Sequence, residues 1–375
     1  MARLCSAPVS GTIFITGYPG FIGKRLVRHL AKVAPDSRIV LLVQPRFVKE
    51  ATQYASRLGP APIEILSGDI VDIHLGLSGP EYQRLCDEVT FIFHLAAISY
   101  LGMPREMAHQ VNVHGTRHVL ELATDAKHLE RLVHFSTTYV SGDRVGVIAE
   151  DELDCGQGFR NPYEETKFLA EKLVHRAKES LPITIIRPAT VVGDSHTGEI
   201  ERFDGPYYLG MLLVLSPLVI PLPLPGNGVA PLNVVPVDFV VEATWLLAKN
   251  PAARGKTLHL VDPNPMSARR VYELIAARSN RKLPRFNVSA RAADLMMRLP
   301  GLEKLVRPQR AAINYVNHLA LYNCHGALEL LDGTGVRCPP LSTYLDTLVD
   351  YAMTVWKDRQ QQAAAGREPD DPLDR

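Results

Sequence analysis

The chain lacks an uninterrupted apolar run that would cross a bilayer. Its most membrane-like stretch, YYLGMLLVLSPLVIPLPLP at 207–225, carries prolines that break a spanning helix. That stretch reads as an apolar lid or substrate wall; core packing and a patch resting on a membrane surface are the other readings, so peripheral membrane contact stays open. The amino terminus has no charged leader followed by an apolar signal segment, which argues against export. Cysteine is scarce: the five, at 5, 86, 155, 324 and 338, show neither pairing nor metal spacing, as expected for a reducing, cytoplasmic setting. An excess of one charge is also missing. Lys and Arg number 41 against 40 Asp and Glu, so nothing suggests electrostatic capture of nucleic acid. A short basic stretch at 304–310 remains as a contact for a phosphate-bearing substrate. The thirteen histidines form no compact set with cysteine or carboxylate, and no metal centre is expected.

What is present is a βα rhythm. GTIFIT at 11–16 is apolar and β-branched, the pattern of a buried parallel strand. Gly17, Gly20 and Gly23 follow, with Phe21 and Ile22 opening a helix that runs to Ala34. This glycine spacing lets the chain turn sharply and admit a pyrophosphate to the amino end of the helix, where unpaired N–H groups favour anions. The next strand, SRIVLLV, ends at Val43 and is followed by Gln44, with Arg46 and Lys49 just beyond. An acidic residue there would bind a ribose diol, whereas a nearby arginine accommodates a 2′-phosphate, so NADPH is favoured over NADH. Further strands read at 62–66, 89–97, 131–139 and 183–192, and helices at 104–126 and 162–179. The resulting expectation is an α/β fold, a doubly wound parallel sheet of Rossmann type. Asp69 and Ile70, in GDI after the third strand, either meet the adenine or cap the following turn. Ala96 and Ala97 leave the fourth strand at the carboxyl edge, where small side chains let a dinucleotide approach the backbone.

Three pieces carry catalysis. Tyr163 in NPYEETK has an ordinary phenolic pKa of about 10, too high for proton exchange at neutral pH. Lys167, one helical turn on, would lower it and also reach the nicotinamide ribose. Thr137 in HFSTTYVSG supplies a hydroxyl for the substrate carbonyl oxygen, with Ser136 and Thr138 in competition. Asn112 either positions a water or carbonyl near the lysine or is an ordinary polar residue of its helix.

Taken together, TGYPGFIG, GDI, HLAA, NVHGT, STTYVSG and NPYEETK resemble an extended short-chain dehydrogenase/reductase over about 1–260. LNVVPVDFV at 232–240 is similar to the segment by which that family returns to its cofactor domain. The resemblance implies Tyr163 as acid, Lys167 as its partner on the ribose, Thr137 on the reacting oxygen, Asn112 as the structural asparagine and a homodimer through helices 104–126 and 162–179. RPATVVGDSHTGE resembles the male-sterility-type branch related to fatty acyl-CoA and carrier-protein thioester reductases, which implies Pro188 beside the nicotinamide and an acyl-CoA or an acyl carrier protein as donor. The reaction so implied is NADPH-dependent reduction of an acyl thioester to aldehyde or alcohol. The alternatives are a dehydrogenase or ketoreductase of a sterol-like or flavonoid-like substrate, a nucleotide-sugar epimerase and a non-catalytic cofactor-binding protein. Residues 1–190 with 232–260 form the expected dinucleotide domain, 191–358 a mostly helical substrate part, and 359–375 a flexible tail. Within the substrate part, SARRVYELIAARS and AADLMMRLPGLEKLV have helical apolar faces, and Asn314, Tyr315, His318, Tyr322 and His325 are expected on a further helix.

Overall fold

The computed structural model describes residues 11–99, 103–201, 228–280, 315 and 317–364. The apolar stretch at 207–225, the basic stretch at 304–310, the helix expected at 292–306, Asn314 and residues 365–375 lie outside the described residues.

The chain begins β1 (Thr12–Thr16), α1 (Phe21–Val33), β2 (Arg38–Val43), α2 (Val48–Ala55), β3 (Ile63–Ser67), α3 (Gly79–Glu88) and β4 (Val89–His94). It continues through α4 (Arg105–His109), α5 (Gly115–Asp125), β5 (Arg131–Phe135), β6 (Gly146–Ile148), α6 (Pro162–Ala177), β7 (Ile183–Pro188) and β8 (Thr190–Val192). After 228 come β9 (Val234–Pro236), α7 (Val237–Lys249), β10 (Thr257–Leu260), α8 (Ala268–Arg278), β11 (Ala320–Tyr322), α9 (His325–Leu331) and α10 (Leu341–Ala364).

Among the described residues, seven strands form one parallel sheet in the order β10-β7-β5-β4-β1-β2-β3. Every residue of β1 is buried, as a strand covered on both faces requires. The period of two divides its side chains: Ile13 and Ile15 pack with Leu26 and Leu30 of α1 and Trp245 of α7, whereas Phe14 packs with Val119 and Leu122 of α5. Two apolar layers therefore sandwich the sheet. Burial of such Ile, Leu and Phe side chains contributes about 1.5–3 kcal/mol each. The strand order reverses between β1 and β4, whose carboxyl ends diverge to leave the crevice in which α/β sheets of this kind bind ligands.

Smaller parallel pairs lie outside this sheet. β8 pairs with β9, and β6 with β11 in the register Leu321 opposite Val147. The pairing of β11 corrects the helix expected through Tyr322. Ala320 and Tyr322 point inward while Leu321 is exposed, an alternation that a strand satisfies and a helix does not. The fifth strand also stops at Phe135 rather than 139, because Thr138–Ser141 tightens into a 3-10 turn. At the carboxyl end, α10 continues through 359–364, where a tail was expected to begin.

Candidate active site

The cofactor cradle is built from glycine because nothing larger fits. Gly17 has a φ of +88°, and a Cβ there would lie 2.7 Å from the Ala96 nitrogen. A Cβ on Gly23 would lie 2.5 Å from the Gly17 carbonyl oxygen. The β1 turn, the first turn of α1 and the start of the Ala96–Ala97 segment are thus in backbone contact. Gly20 caps α1 without a side-chain hydrogen bond, and no acidic residue occupies the first turn, which Phe21 and Ile22 open. A helix amino end presented this way at the switch point suits a pyrophosphate, so the residues present fit a dinucleotide.

At the far end of the crevice Gln44, Arg46 and Asp69 form a chain. The Arg46 Nε donates to the Gln44 Oε1 at 3.0 Å, and the Gln44 Nε2 donates to Asp69 Oδ2 at 2.6 Å. The Val71 N–H donates to the second Asp69 oxygen at 3.2 Å, so Asp69 caps the turn that follows β3 while its other oxygen holds Gln44. Ile70 is turned into the core, where its side chain occupies the space a Cβ on Gly115 would need.

From Ala96 at the cradle to the Asn112 carbonyl runs a directed hydrogen-bond chain that the sequence did not disclose. Thr116 Oγ1 spends its proton on the Asn112 carbonyl at 2.7 Å, so it accepts from His94 Nε2 at 3.0 Å. His94 Nδ1 then accepts from Thr16 Oγ1 at 2.8 Å, and Thr16 accepts from the Ala96 N–H at 3.2 Å. Burial lowers the His94 pKa to about 3, with the Lys167 charge acting in the same direction. The ring is a neutral spacer.

The catalytic candidates converge on α6. Asn161 caps this helix, accepting from the Glu164 N–H at 3.0 Å, and Pro162 takes the first position, where its missing N–H leaves no bond unmade. Tyr163 is half-buried. Lys167 is buried and donates from Nζ to the Phe135 carbonyl at 2.6 Å, pinning it beneath the end of β5. Desolvation lowers its pKa to about 8, against the opposing pull of the Glu171 carboxylate.

The three competing hydroxyls differ in their surroundings. Ser136 donates to Glu171, away from Tyr163 along the helix. Thr137 accepts the Tyr139 N–H on Oγ1 at 3.2 Å and keeps its proton for another acceptor. Thr138 is buried in the 3-10 turn, 1% exposed. Asn112 sits in a π turn, Gln110–His114, inserted between α4 and α5. Its Oδ1 accepts the Ile98 N–H at 2.8 Å, and its Nδ2 donates to the Ile98 carbonyl at 3.1 Å and to Thr166 at 3.0 Å. The amide is fully engaged in fastening the chain after β4 to α6, beside Lys167 in sequence. Pro188 closes β7 and is buried.

Sequence reasoning also missed the buried pair Glu171–Arg187, with Arg187 Nε donating to Oε1 at 3.0 Å and Nη2 to the same oxygen at 2.6 Å. Its signals were present: Glu171 is one turn beyond Lys167, and Arg187 interrupts the apolar run of β7. Within the 3-10 turn, Tyr139 shares a 2.5 Å hydroxyl bond with Thr190 and packs 4.5 Å from the Tyr315 ring. The Tyr315 hydroxyl donates to Glu164 at 2.7 Å. Of the polar-aromatic series, Tyr315, His318 and Tyr322 thus fasten the catalytic segment at Glu164, the Arg144 carbonyl and Ser141. Among the described residues no helix is long and apolar enough to cross a membrane.

A reversed strand order, a glycine cradle at the switch point and a helix carrying Tyr163 and Lys167 one turn apart define an extended short-chain dehydrogenase/reductase, a nicotinamide-dependent oxidoreductase. The chain belongs to the male sterility protein family, whose NAD-binding model matches residues 15–244. It is 29% identical over 285 residues to a fatty acyl-CoA reductase of Drosophila melanogaster, covering 64% of this chain and 54% of that protein. It is 26% identical over 290 residues to the large subunit of L-2-aminoadipate reductase of Penicillium chrysogenum, covering 70% of this chain and 20% of the relative. The chain spans about half or less of the length of these curated relatives. Among solved structures, the terminal R domain of the myxalamid biosynthetic pathway superposes with a TM-score of 0.76 at 28% identity, covering 92% of both chains. UDP-glucuronic acid 4-epimerase from Bacillus cereus in complex with NAD, at 21% identity and a TM-score of 0.67, shares the fold.

Proposed function

We propose that the chain is an NADPH-dependent reductase of acyl thioesters, taking an acyl-CoA or a carrier-bound acyl group. The observation that carries this reading is the likeness over nearly the whole chain to the terminal R domain, supported by the fatty acyl-CoA reductase relative. The preference for NADPH rests on Gln44 in place of a ribose-binding carboxylate, with Arg46 held beside it.

When bound, the nicotinamide supplies a hydride to the thioester carbonyl carbon. Thr137 donates its free proton to the carbonyl oxygen as charge develops there. Tyr163 delivers the proton that neutralises this oxygen, and Lys167 supplies the nearby positive charge that makes the phenol a competent acid. Collapse of the hemithioacetal breaks the carbon–sulfur bond and releases aldehyde and thiol. Residues 1–190 and 232–260 are assigned to the cofactor and the rest of 191–358 to the acyl group and its carrier, with Tyr139, Thr190 and Tyr315 as the wall between them.

The test is anaerobic oxidation of NADPH, with NADH alongside, by purified protein given a long-chain acyl thioester. Thiol release matched by aldehyde or alcohol is expected. Turnover of apolar ketones with no thiol released from thioesters would overturn the assignment.

A further inference from the structure

Below the catalytic residues lies a polar network that the reaction itself does not use. Helix α6 carries Tyr163, Lys167, Glu171 and His175 at successive turns, the i,i+4 spacing that aligns side chains on one face. Glu171 is wholly buried. Its oxygens take the Arg187 fork from β7, the Ser136 hydroxyl from the end of β5, and His175 Nε2 at 3.3 Å. Arg187, 1% exposed, uses its remaining nitrogen on the Glu150 carbonyl at 3.3 Å and on His259 Nε2 at 3.2 Å. Because arginine only donates, His259 accepts there and donates from Nδ1 to the Asn323 carbonyl at 2.6 Å. The network thus joins the catalytic helix to the strand ends on either side and to the segment after β11.

A buried ion pair of this kind contributes little net stability relative to a well-packed apolar pair. Its placement has a consequence for the reaction. Ser136 precedes Thr137, and Phe135, whose carbonyl holds Lys167, precedes Ser136. Fixing Ser136 to Glu171 therefore orients both the residue that would touch the substrate oxygen and the carbonyl that anchors the lysine. The ionisable groups coupled to Lys167 are Glu171 on its own helix, His94 on β4 and His134 on β5; Tyr163 lies one turn away on the same helix, and Arg187 and His175 meet Glu171. Burial, with the Lys167 charge adding to it, lowers the pKa of His94 and of His134, so neither competes as a cation at neutral pH. Glu171 is the anion among them, held charged by Arg187 against its burial.

We propose that Glu171 is a positioning residue: clamped by Arg187, it supplies the counter-charge one turn below Lys167 and draws Ser136 away from the substrate, leaving Thr137 as the hydroxyl at the reacting carbonyl. The assignment rests on the Tyr163 and Lys167 site and not on which acyl donor is used.

The test is lysine NMR on protein labelled at the side-chain ε-carbon, with the Lys167 signal identified by its loss in Lys167→Arg. Glu171→Gln keeps the shape and removes the charge; it is expected to lower the Lys167 titration midpoint by about one pH unit or more. The alkaline limb of kcat/KM should move down in pH with it. Because Glu171→Gln leaves Arg187 unpaired in the interior, Glu171→Gln with Arg187→Met is the second variant. That pair of changes strands no charge, and it is expected to give the same direction of shift. A folded variant of either kind with an unshifted Lys167 midpoint and pH profile, whatever its loss of thermal stability, would overturn the proposal. The titration needs no substrate, so failure of the wild-type protein to reduce thioesters would count against that reading alone.

Discussion

Gln44 donates its side-chain amide to the Asp69 carboxylate at 2.6 Å, across the carboxyl ends of the adjacent strands β2 and β3. The glutamine oxygen is thereby turned toward Arg46, the residue proposed to meet the 2′-phosphate of NADPH. Arg46→Ala is expected to raise KM for NADPH about tenfold, the lower end of what a charged hydrogen bond contributes once solvent exposure is allowed for. KM for NADH should stay within about twofold. Equal losses with both cofactors would remove Arg46 from phosphate recognition.

The glycine cradle makes a contrast between two alanine substitutions. Gly23→Ala places a methyl against the Gly17 carbonyl, which is backbone and cannot rotate away, whereas a Cβ on Gly79 meets nothing within 4 Å. The first is expected to destabilise the protein by about 1–3 kcal/mol and to abolish the rise in Tm on adding NADPH. The second should be neutral or stabilising by up to about 1 kcal/mol, because it removes freedom from the unfolded chain. Thermal denaturation with and without cofactor measures both.

Tyr163→Phe removes only the hydroxyl proposed as the acid. Its kcat is expected to fall about 10²–10⁴-fold with little change in NADPH affinity. Thr137→Ala should fall about 10²–10³-fold, and Thr137→Ser should recover most of that loss. Single-turnover rates with saturating cofactor separate these effects from binding.

Two pH effects follow from burial. The Lys167 pKa is lowered to about 8, so its charge, and with it the activity, should be lost as pH rises through that value; the kcat/KM profile reads this limb. His94, His134 and His259 are buried and neutral, with folded pKa values below the ordinary 6.5. Below pH 6.5 the unfolded chain binds protons that the folded chain does not, so stability is present above that pH and declines as pH falls. Neither ring nitrogen of His134 has a hydrogen-bond partner among the described residues. His134→Met should therefore raise Tm at pH 5 by more than it does at pH 8.

Much of this protein was legible in its sequence because the signals are local. β-branched runs at 12–16 and 38–43 make strands wherever both faces are covered, and the glycine spacing at 17, 20 and 23 makes a turn that few other sequences can form. Tyr163 and Lys167 share a helical face by their spacing alone. Tertiary structure decided what depends on residues distant in the chain. Ser136 and Thr137 are adjacent and chemically alike, and only the fold gives them different partners, Glu171 for Ser136 and the Tyr139 N–H for Thr137. Asn112 faces Ile98 and Thr166 through a π turn that periodicity does not reveal. Tyr322 lies on a strand rather than a helix because β6, far earlier in the chain, offers it a partner. Residue types and spacing fixed which groups were available for chemistry; long-range packing chose among equivalent groups and set their charges, because desolvation and hydrogen bonding are properties of the folded surroundings.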